Sequence, residues 1–318
     1  MTHDQDSQRP AIQWLLEADP ALRWQVMRDL AGSADEAVAA ERSRVAVEGW
    51  GARLLTLQGL DGNWGDGSVR PQWFSTLYTL LLLRGLGVDP VSAPARAAVG
   101  LVRDSVNWGH HFGHAPFFEG EEEACINGGV LALGGYFGEA SDRLVDRLVS
   151  EQLADGGWNC AAPRSRRSSF HSTICVLEGL LAYEQAKGAT ATVTEARRRG
   201  QEYLLVRRMF RRQSTGDAVD HRWMKFSFPT NWHYDVLRSL HYLRDAGVAP
   251  DDRVDEAVGL VTDLRQPDGR WPLWYPRPDP PYWWGYPVNF ELEAGDGNAS
   301  RWITLRALRV LRWHSAGN

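Results

Sequence analysis

At 318 residues and 43% hydrophobic content, the chain is long enough for one large domain or two small ones and apolar enough to bury a substantial core. No run of about eighteen uncharged apolar residues occurs, which excludes a membrane-crossing helix, and a net charge of -5 gives no footprint for nucleic acid. The polar opening MTHDQDSQRP lacks the apolar core of a secretion signal, so the chain is expected in the cytoplasm. Its three cysteines, Cys125, Cys160 and Cys175, are then thiols or metal ligands rather than a disulfide framework.

The first helical periodicity is ALRWQVMRDLAG, residues 21–32, and the more charged residues 36–58 follow it. A turn with Gln58, Gly62 and Trp64 leads to STLYTLLLLRGLG, residues 75–87, whose apolar run is too short to span a bilayer. An amphipathic segment at 93–104 precedes a histidine-rich stretch with His110, His111 and His114, which reads as a solvated loop or a weak metal-binding approach. The acidic run Glu119 to Glu123 then opens CINGGVLALGGYFG at 125–138, and SDRLVDRLVSEQ at 141–152 is again amphipathic. Gln152, Gly156 and Trp158 repeat the turn, followed by HSTICVLEGLLAYE at 171–184 and the arginine-rich 193–210. The basic patch from Arg197 to Arg212 reads as a solvated helix face. HYDVLRSLHYLRDAG at 233–247 and 252–266 form the next pair, and Gln266, Gly269 and Trp271 give the turn a third time, one residue shorter. Residues 271–290, rich in proline and aromatics, exclude a helix and either roof a cavity or connect hairpins at the surface. RWITLRALRVLRW at 301–313 closes the series.

Six apolar helices therefore alternate with more charged ones at a period near fifty residues, and no segment shows sustained period-two alternation. This predicts an all-α chain folded as one domain over 1–318: an α/α toroid of about six helical hairpins, apolar helices inside and charged helices outside. In the turns, Gly, Asp and Asn permit positive φ, Trp packs on neighbouring helix ends, and Gln is expected to bond exposed backbone at the adjoining helix.

The repeated Q-x-x-x-G-x-W turns and paired helices resemble the terpenoid cyclase and protein prenyltransferase superfamily, including the QW repeats of squalene cyclase-like proteins. The resemblance covers nearly the whole chain and implies a toroid around a central apolar cavity. The Asp-x-Asp-Asp acid motif of class II cyclases is absent. DDRVD at Asp251 to Asp255 has the spacing of a diphosphate-binding motif but starts an outer helix, where acids suit the helix dipole. Phe170, His171, Ser172, Thr173, Leu177, Gly179 and Leu180 look like the prenyltransferase zinc-histidine helix, and Glu123-Ala124-Cys125 looks like its Asp-x-Cys pair with Glu in place of Asp.

Aligning the inner helices by apolar pattern places Trp24, Ser75, Cys125, His171, His233 and Trp302 near their N-terminal ends, which converge at one mouth of the ring. Thiolate, imidazole and carboxylate are the groups zinc takes, and helix N-termini favour the thiolate. The expected zinc ligands are Cys125 and His171, then Glu123, with Cys160 as the fourth. Cys175 reads as core. His233, Tyr234, Asp235 and Glu178 are the candidate catalytic groups: Asp235 orients an imidazole or caps its own helix, and Glu178 pairs with an arginine or is a buried acid of raised pKa. The reading is an enzyme with a zinc-type site at one mouth of an aromatic-lined cavity, acting on an apolar, isoprenoid-class small molecule by transfer, cyclisation or hydrolysis. A metal-independent binder of apolar ligands, or an interaction scaffold, is the alternative. Neither nucleic acid nor an integral membrane segment is expected, and the oligomeric state is left open.

Overall fold

The computed structural model describes residues 2–65, 67, 72–274, 292–293 and 297–317, and of residues 2–7 and 111 the backbone only. Most of the proline- and aromatic-rich 271–290 stretch lies outside the described residues. Thirteen α-helices are described: α1 (Thr2–Leu16), α2 (Pro20–Asp29), α3 (Asp35–Arg44), α4 (Gly49–Thr56), α5 (Gln72–Leu86), α6 (Ala93–Ser105) and α7 (Ala124–Phe137). They continue as α8 (Asp142–Ser150), α9 (Phe170–Lys187), α10 (Ala191–Leu205), α11 (Val236–Asp245), α12 (Asp255–Asp263) and α13 (Arg301–Gly317). Two short strands, β1 (Trp271–Pro272) and β2 (Ala299–Ser300), pair antiparallel before α13. The chain is an all-α toroid, and none of the described helices is long and apolar enough to cross a membrane.

The inner ring is α2, α5, α7, α9, α11 and α13, as the apolar periodicity predicts. Buried residues run all round these helices, including Leu77, Leu80, Leu83, Val130, Leu133, Leu177, Leu180, Leu240 and Leu308. The amphipathic α4, α6, α8, α10 and α12 bury one stripe each. Two boundaries differ from expectation. Residues 36–58 are not one helix but α3 and α4, parted at Gly49, whose φ of 64° suits only glycine. A Cβ there would sit 2.0 Å from Asp19 Oδ2, the carboxylate that caps α2 at Ala21 N (2.9 Å) and also accepts from Trp50 N (2.8 Å). The second difference is α1, which the polar opening residues conceal. It buries Ala11 and Leu15 and packs on α2 and α13, closing the ring.

Each repeated turn is fastened by the same two tryptophan contacts, and the first two turns add a third from glutamine. The Trp64, Trp158 and Trp271 indoles donate to Leu54 O (2.7 Å), Leu148 O (2.6 Å) and Val261 O (2.6 Å), satisfying carbonyls in the last turns of α4, α8 and α12. Their backbone N–H groups donate to Thr76, Thr173 and Thr304 Oγ1 on the inner helices. Gln58 and Gln152 donate to Ala98 O and Ala196 O, carbonyls inside the outer helices α6 and α10 rather than at their ends. The threonines set the register of the inner helices: Phe74, His171 and Trp302 each lie two residues before one, so Phe74, not Ser75, is the counterpart of His171.

The basic patch is partly neutralised, with Arg197 on Glu184, Arg198 on Glu195 and Arg211 on Glu256. In DDRVD, Asp251 pairs with Arg253, and Asp255 begins α12 and meets His314 Nε2 (2.8 Å), consistent with the helix-dipole reading.

Candidate functional site

The N-terminal mouth of the ring is held by an unusually close pair of helices. A Cβ on Gly128 of α7 would lie 2.5 Å from the Cys175 backbone of α9, and one on Gly135 would lie 2.5 Å from Ala182 O. Both contacts advance seven residues, so α7 and α9 run parallel and their first turns lie side by side.

The acidic loop before α7 is pinned to it. Asn127 accepts from Glu121 N (2.8 Å) and donates to Glu121 O (3.0 Å), while the buried Glu121 carboxylate accepts from Glu122 N and Glu123 N. Burial raises the Glu121 pKa, against the lowering effect of those N–H groups. The result is a fixed Glu123 at the N-cap position of α7.

Next to it, Cys125 Sγ lies 3.6 Å from Glu123 Oε2, and Cys160 Sγ accepts from Cys125 N (3.3 Å). Ligand atoms of Glu123, Cys125 and Cys160 all fall within 4.8 Å of one another. Ser172, in the first turn of α9, holds Cys160 through N (3.2 Å) and Sγ (3.3 Å). The two thiols share one favourable ionisation: the Cys125 thiol, the Ser172 hydroxyl and the Cys125 N–H bring the Cys160 pKa down, whereas the neighbouring sulfur and burial push Cys125 up.

The donor set suits zinc. With bonds of about 2.0–2.3 Å, tetrahedral zinc ligands sit roughly 3.5 Å apart, close to the Cys125–Glu123 separation. An ion held by these three donors would have a fourth tetrahedral position left for water or substrate.

His171 does not join this group. Its Nδ1 accepts from Tyr234 N (2.9 Å), so the neutral ring carries its proton on Nε2 and offers no free lone pair to a metal. Burial and Arg238 lower its pKa to about 4. The ring instead belongs to an aromatic cluster with Trp223, Trp232 and His233, at centroid distances of 5.5, 5.0 and 5.1 Å. His233 stacks on Trp232 (4.2 Å) and is lowered to about 2 by burial and by His171.

The other expected catalytic groups have structural partners. Tyr234 is buried and donates its hydroxyl to Met209 O. Asp235 caps α11, accepting from Arg238 N (2.7 Å) and Ser227 N (3.3 Å), the capping half of the expectation. Glu178 forms two bonds with Arg238 (2.8 and 2.7 Å). Burial raises its pKa, but Arg238 outweighs that and holds it below the usual range, so the raised-pKa acid gives way to an ion pair. Cys175 is buried beside Arg238 and Trp232 O, as core. His110 lies on a 3-10 turn and the exposed His114 bonds Asn107, away from the thiol pair.

Sequence reading missed Arg238 itself. Its guanidinium also donates to Asn231 O (3.0 Å) and His233 O (2.6 Å), tying the loop before α11 to α9. An arginine within VLRSL, with a glutamate at Glu178 on a neighbouring inner helix, is the signal that carries it.

Beyond this pair, toward the C-terminal ends of the inner helices, lies a cavity of about 450 Å³. Trp24, Tyr136, Leu181, Phe228, Tyr242 and Trp302 supply its apolar wall, with Phe228 stacked on Trp302 at 4.4 Å. The expected aromatic lining is present, but arginines share it.

Fold and lining together define an α/α toroid with a thiol-and-carboxylate cluster at one mouth and a mixed aromatic cavity inside. Among solved structures, the chain is similar over its full length to the type II terpene cyclase MstE from Scytonema in complex with merosterolic acid A, at 16% identity, TM-score 0.51 and 100% coverage of both chains. MstE in complex with geranylgeranyl dihydroxybenzoate aligns at 15% identity and TM-score 0.47, covering 100% of this chain and 99% of that one. A protein from Actinoplanes aligns at 17% identity and TM-score 0.46, covering 98% and 99%. At such identities the likeness shows the fold alone. Neither a family model nor a curated protein matches the chain.

Proposed function

We propose that the chain is a terpenoid cyclase- and prenyltransferase-like enzyme with a zinc-type centre at its N-terminal mouth, acting on an isoprenoid-class small molecule. The observation that carries the metal centre is the convergence of Glu123, Cys125 and Cys160, 37 positions apart at their extremes, within 4.8 Å. The isoprenoid assignment rests on the aromatic wall and on the fold shared with MstE, whose complexes contain merosterolic acid A and geranylgeranyl dihydroxybenzoate.

Cys125, Cys160 and Glu123 would hold the ion, which when bound supplies Lewis-acid activation of a thiol, water or polarised oxygen. Around it the chain does two things. Asn127 and Glu121 fix the approach of Glu123, and the Ser172 hydroxyl, in contact with Cys160 Sγ, helps bring the Cys160 pKa down. The Asp-x-Asp-Asp motif is absent and Glu178 is committed to Arg238. Transfer to a thiol or other nucleophile is the reaction this donor set supports best.

Elemental analysis of protein purified without added metal tests the centre. One zinc per chain is expected, with loss of most of it in Cys160→Ser and a lower melting temperature after chelation. A metal-free chain whose melting temperature does not respond to chelator would leave the apolar-ligand binder as the reading.

A further inference from the structure

The cavity on the C-terminal side of the Glu178–Arg238 pair has a charge balance that an apolar pocket does not need. Six arginines line it, Arg28, Arg42, Arg84, Arg244, Arg306 and Arg309, against two carboxylates, Glu178 and Asp245. Part of that charge is already engaged. Arg309, Arg244 and Arg28 meet Asp29 just behind the wall, and Arg42 donates to Gly87 O (3.1 Å) and Tyr136 Oη (3.1 Å). The C-termini of α2, α5, α7, α9 and α11 face the same space, each with about half a negative charge. These offset much of the formal excess, and what is left unmet is local: guanidinium donors with no acceptor beside them.

Two of the arginines stand apart. Among the described residues neither Arg84 nor Arg306 has a side-chain hydrogen bond or an ion pair within 4 Å. Arg306 projects from the inner helix α13, with its guanidinium carbon 5.9 Å from the Phe228 ring centroid. Burial and the neighbouring Arg238 hold its pKa below the ordinary value, while Asp235 and Glu178 act against that from a distance. Both side chains are half-buried and reach the cavity, with no protein acceptor among the described residues. A ligand would supply the missing acceptor.

From this geometry we infer that the cavity is a binding site for a small polyvalent oxyanion, phosphate- or carboxylate-bearing, clamped between Arg84 and Arg306 and resting on the Phe228–Trp302 stack. A volume of about 450 Å³ lies within the roughly 300–1,000 Å³ of small-molecule sites, so the anion has room for an aromatic or aliphatic body beside it. The planar five-donor guanidinium favours bidentate oxyanions over halide-like ions. This site goes beyond the thiol cluster, which lies at the opposite mouth, and does not depend on a metal being bound there.

Calorimetric titration at low ionic strength, with inorganic diphosphate in one arm and citrate in the other, tests it. At least one should bind saturably at one site per chain. Arg306→Met and Arg84→Met should each weaken binding roughly 10- to 100-fold, the worth of a charge-assisted hydrogen bond. The melting temperature without ligand should hold steady or rise in Arg306→Met, because one member of a crowded group of cations is removed. Diphosphate binding alone identifies a phosphate ligand, and citrate binding alone a carboxylate. Should Arg306→Met fail to fold, Arg84→Met decides. Absence of binding in both arms, or binding that neither variant weakens, overturns the inference. The Cys125→Ser/Cys160→Ser chain should retain anion binding, which separates this site's failure from that of the metal centre.

Discussion

His171 and His233 face one another at 5.1 Å with pKa values lowered to about 4 and about 2, chiefly by burial. An unfolded histidine titrates near 6.5. Between about pH 6.5 and 4 the unfolded chain therefore takes up protons that the folded chain refuses, and stability rises with pH across that window. The contribution is fully present above pH 6.5 and is lost on acidification. For His171 at pH 4.5 it amounts to about 2 kcal/mol. Urea unfolding at pH 7.5 and 4.5 should show a smaller acid loss in His171→Asn than in the parent; equal losses would sink the argument. At this scale the closeness of Cys125, Cys160 and Glu123 was legible, because Glu123 and Cys125 open an inner helix and Cys160 lies in the turn leading to the next. The use of His171 as a hydrogen-bond acceptor was not, since the donor, Tyr234 N, is a backbone group 63 positions away.

Within the α7–α9 pair, adjacent glycines separate close approach from mere tolerance. A methyl group at Gly128 would meet the Cys175 backbone at 2.5 Å, whereas one at Gly129 first meets Leu81 Cδ1 at 3.4 Å. Gly128→Ala should then destabilise by about 1–3 kcal/mol through overpacking. Gly129→Ala should be neutral or stabilise by up to about 1 kcal/mol through helix propensity. Denaturant unfolding of the two variants checks the contrast, and equal effects would refute the interlock. Because these helices carry Cys125 and Ser172 in their first turns, Gly128→Ala should also reduce zinc retention. Apolar periodicity located every inner helix, since burial on several faces leaves a dense pattern in CINGGVLALGGYFG and HSTICVLEGLLAY. It missed α1, whose first residues are polar, and the break at Gly49, where the cause is a carboxylate from another helix.

The ring is completed by residues at its two ends. Arg309 of α13 meets Asp29 and donates to Gln25 Oε1 (3.0 Å), and Arg312 donates to Asp29 O (3.1 Å) and Leu30 O (2.8 Å). Asp29→Asn would leave the nearly buried Arg309 without its counter-charge, at a cost of about 3–5 kcal/mol. Hydrogen exchange should show faster opening concentrated in α1, α2 and α13, and uniform opening would contradict a localised seam. Circular order was readable from the recurring turns, which repeat because each closes one hairpin. The seam was not, since Arg309 and Gln25 lie 284 positions apart and leave no local pattern. The Gly128–Cys175 and Gly135–Ala182 contacts show that the inner helices α7 and α9 point the same way. Parallel stacking gives the lumen unlike rims: backbone N–H groups converge at the thiols, while backbone carbonyls converge at the other rim, where the arginines oppose their charge. A guest with unequal ends therefore meets a different chemistry at each rim and loads in one orientation.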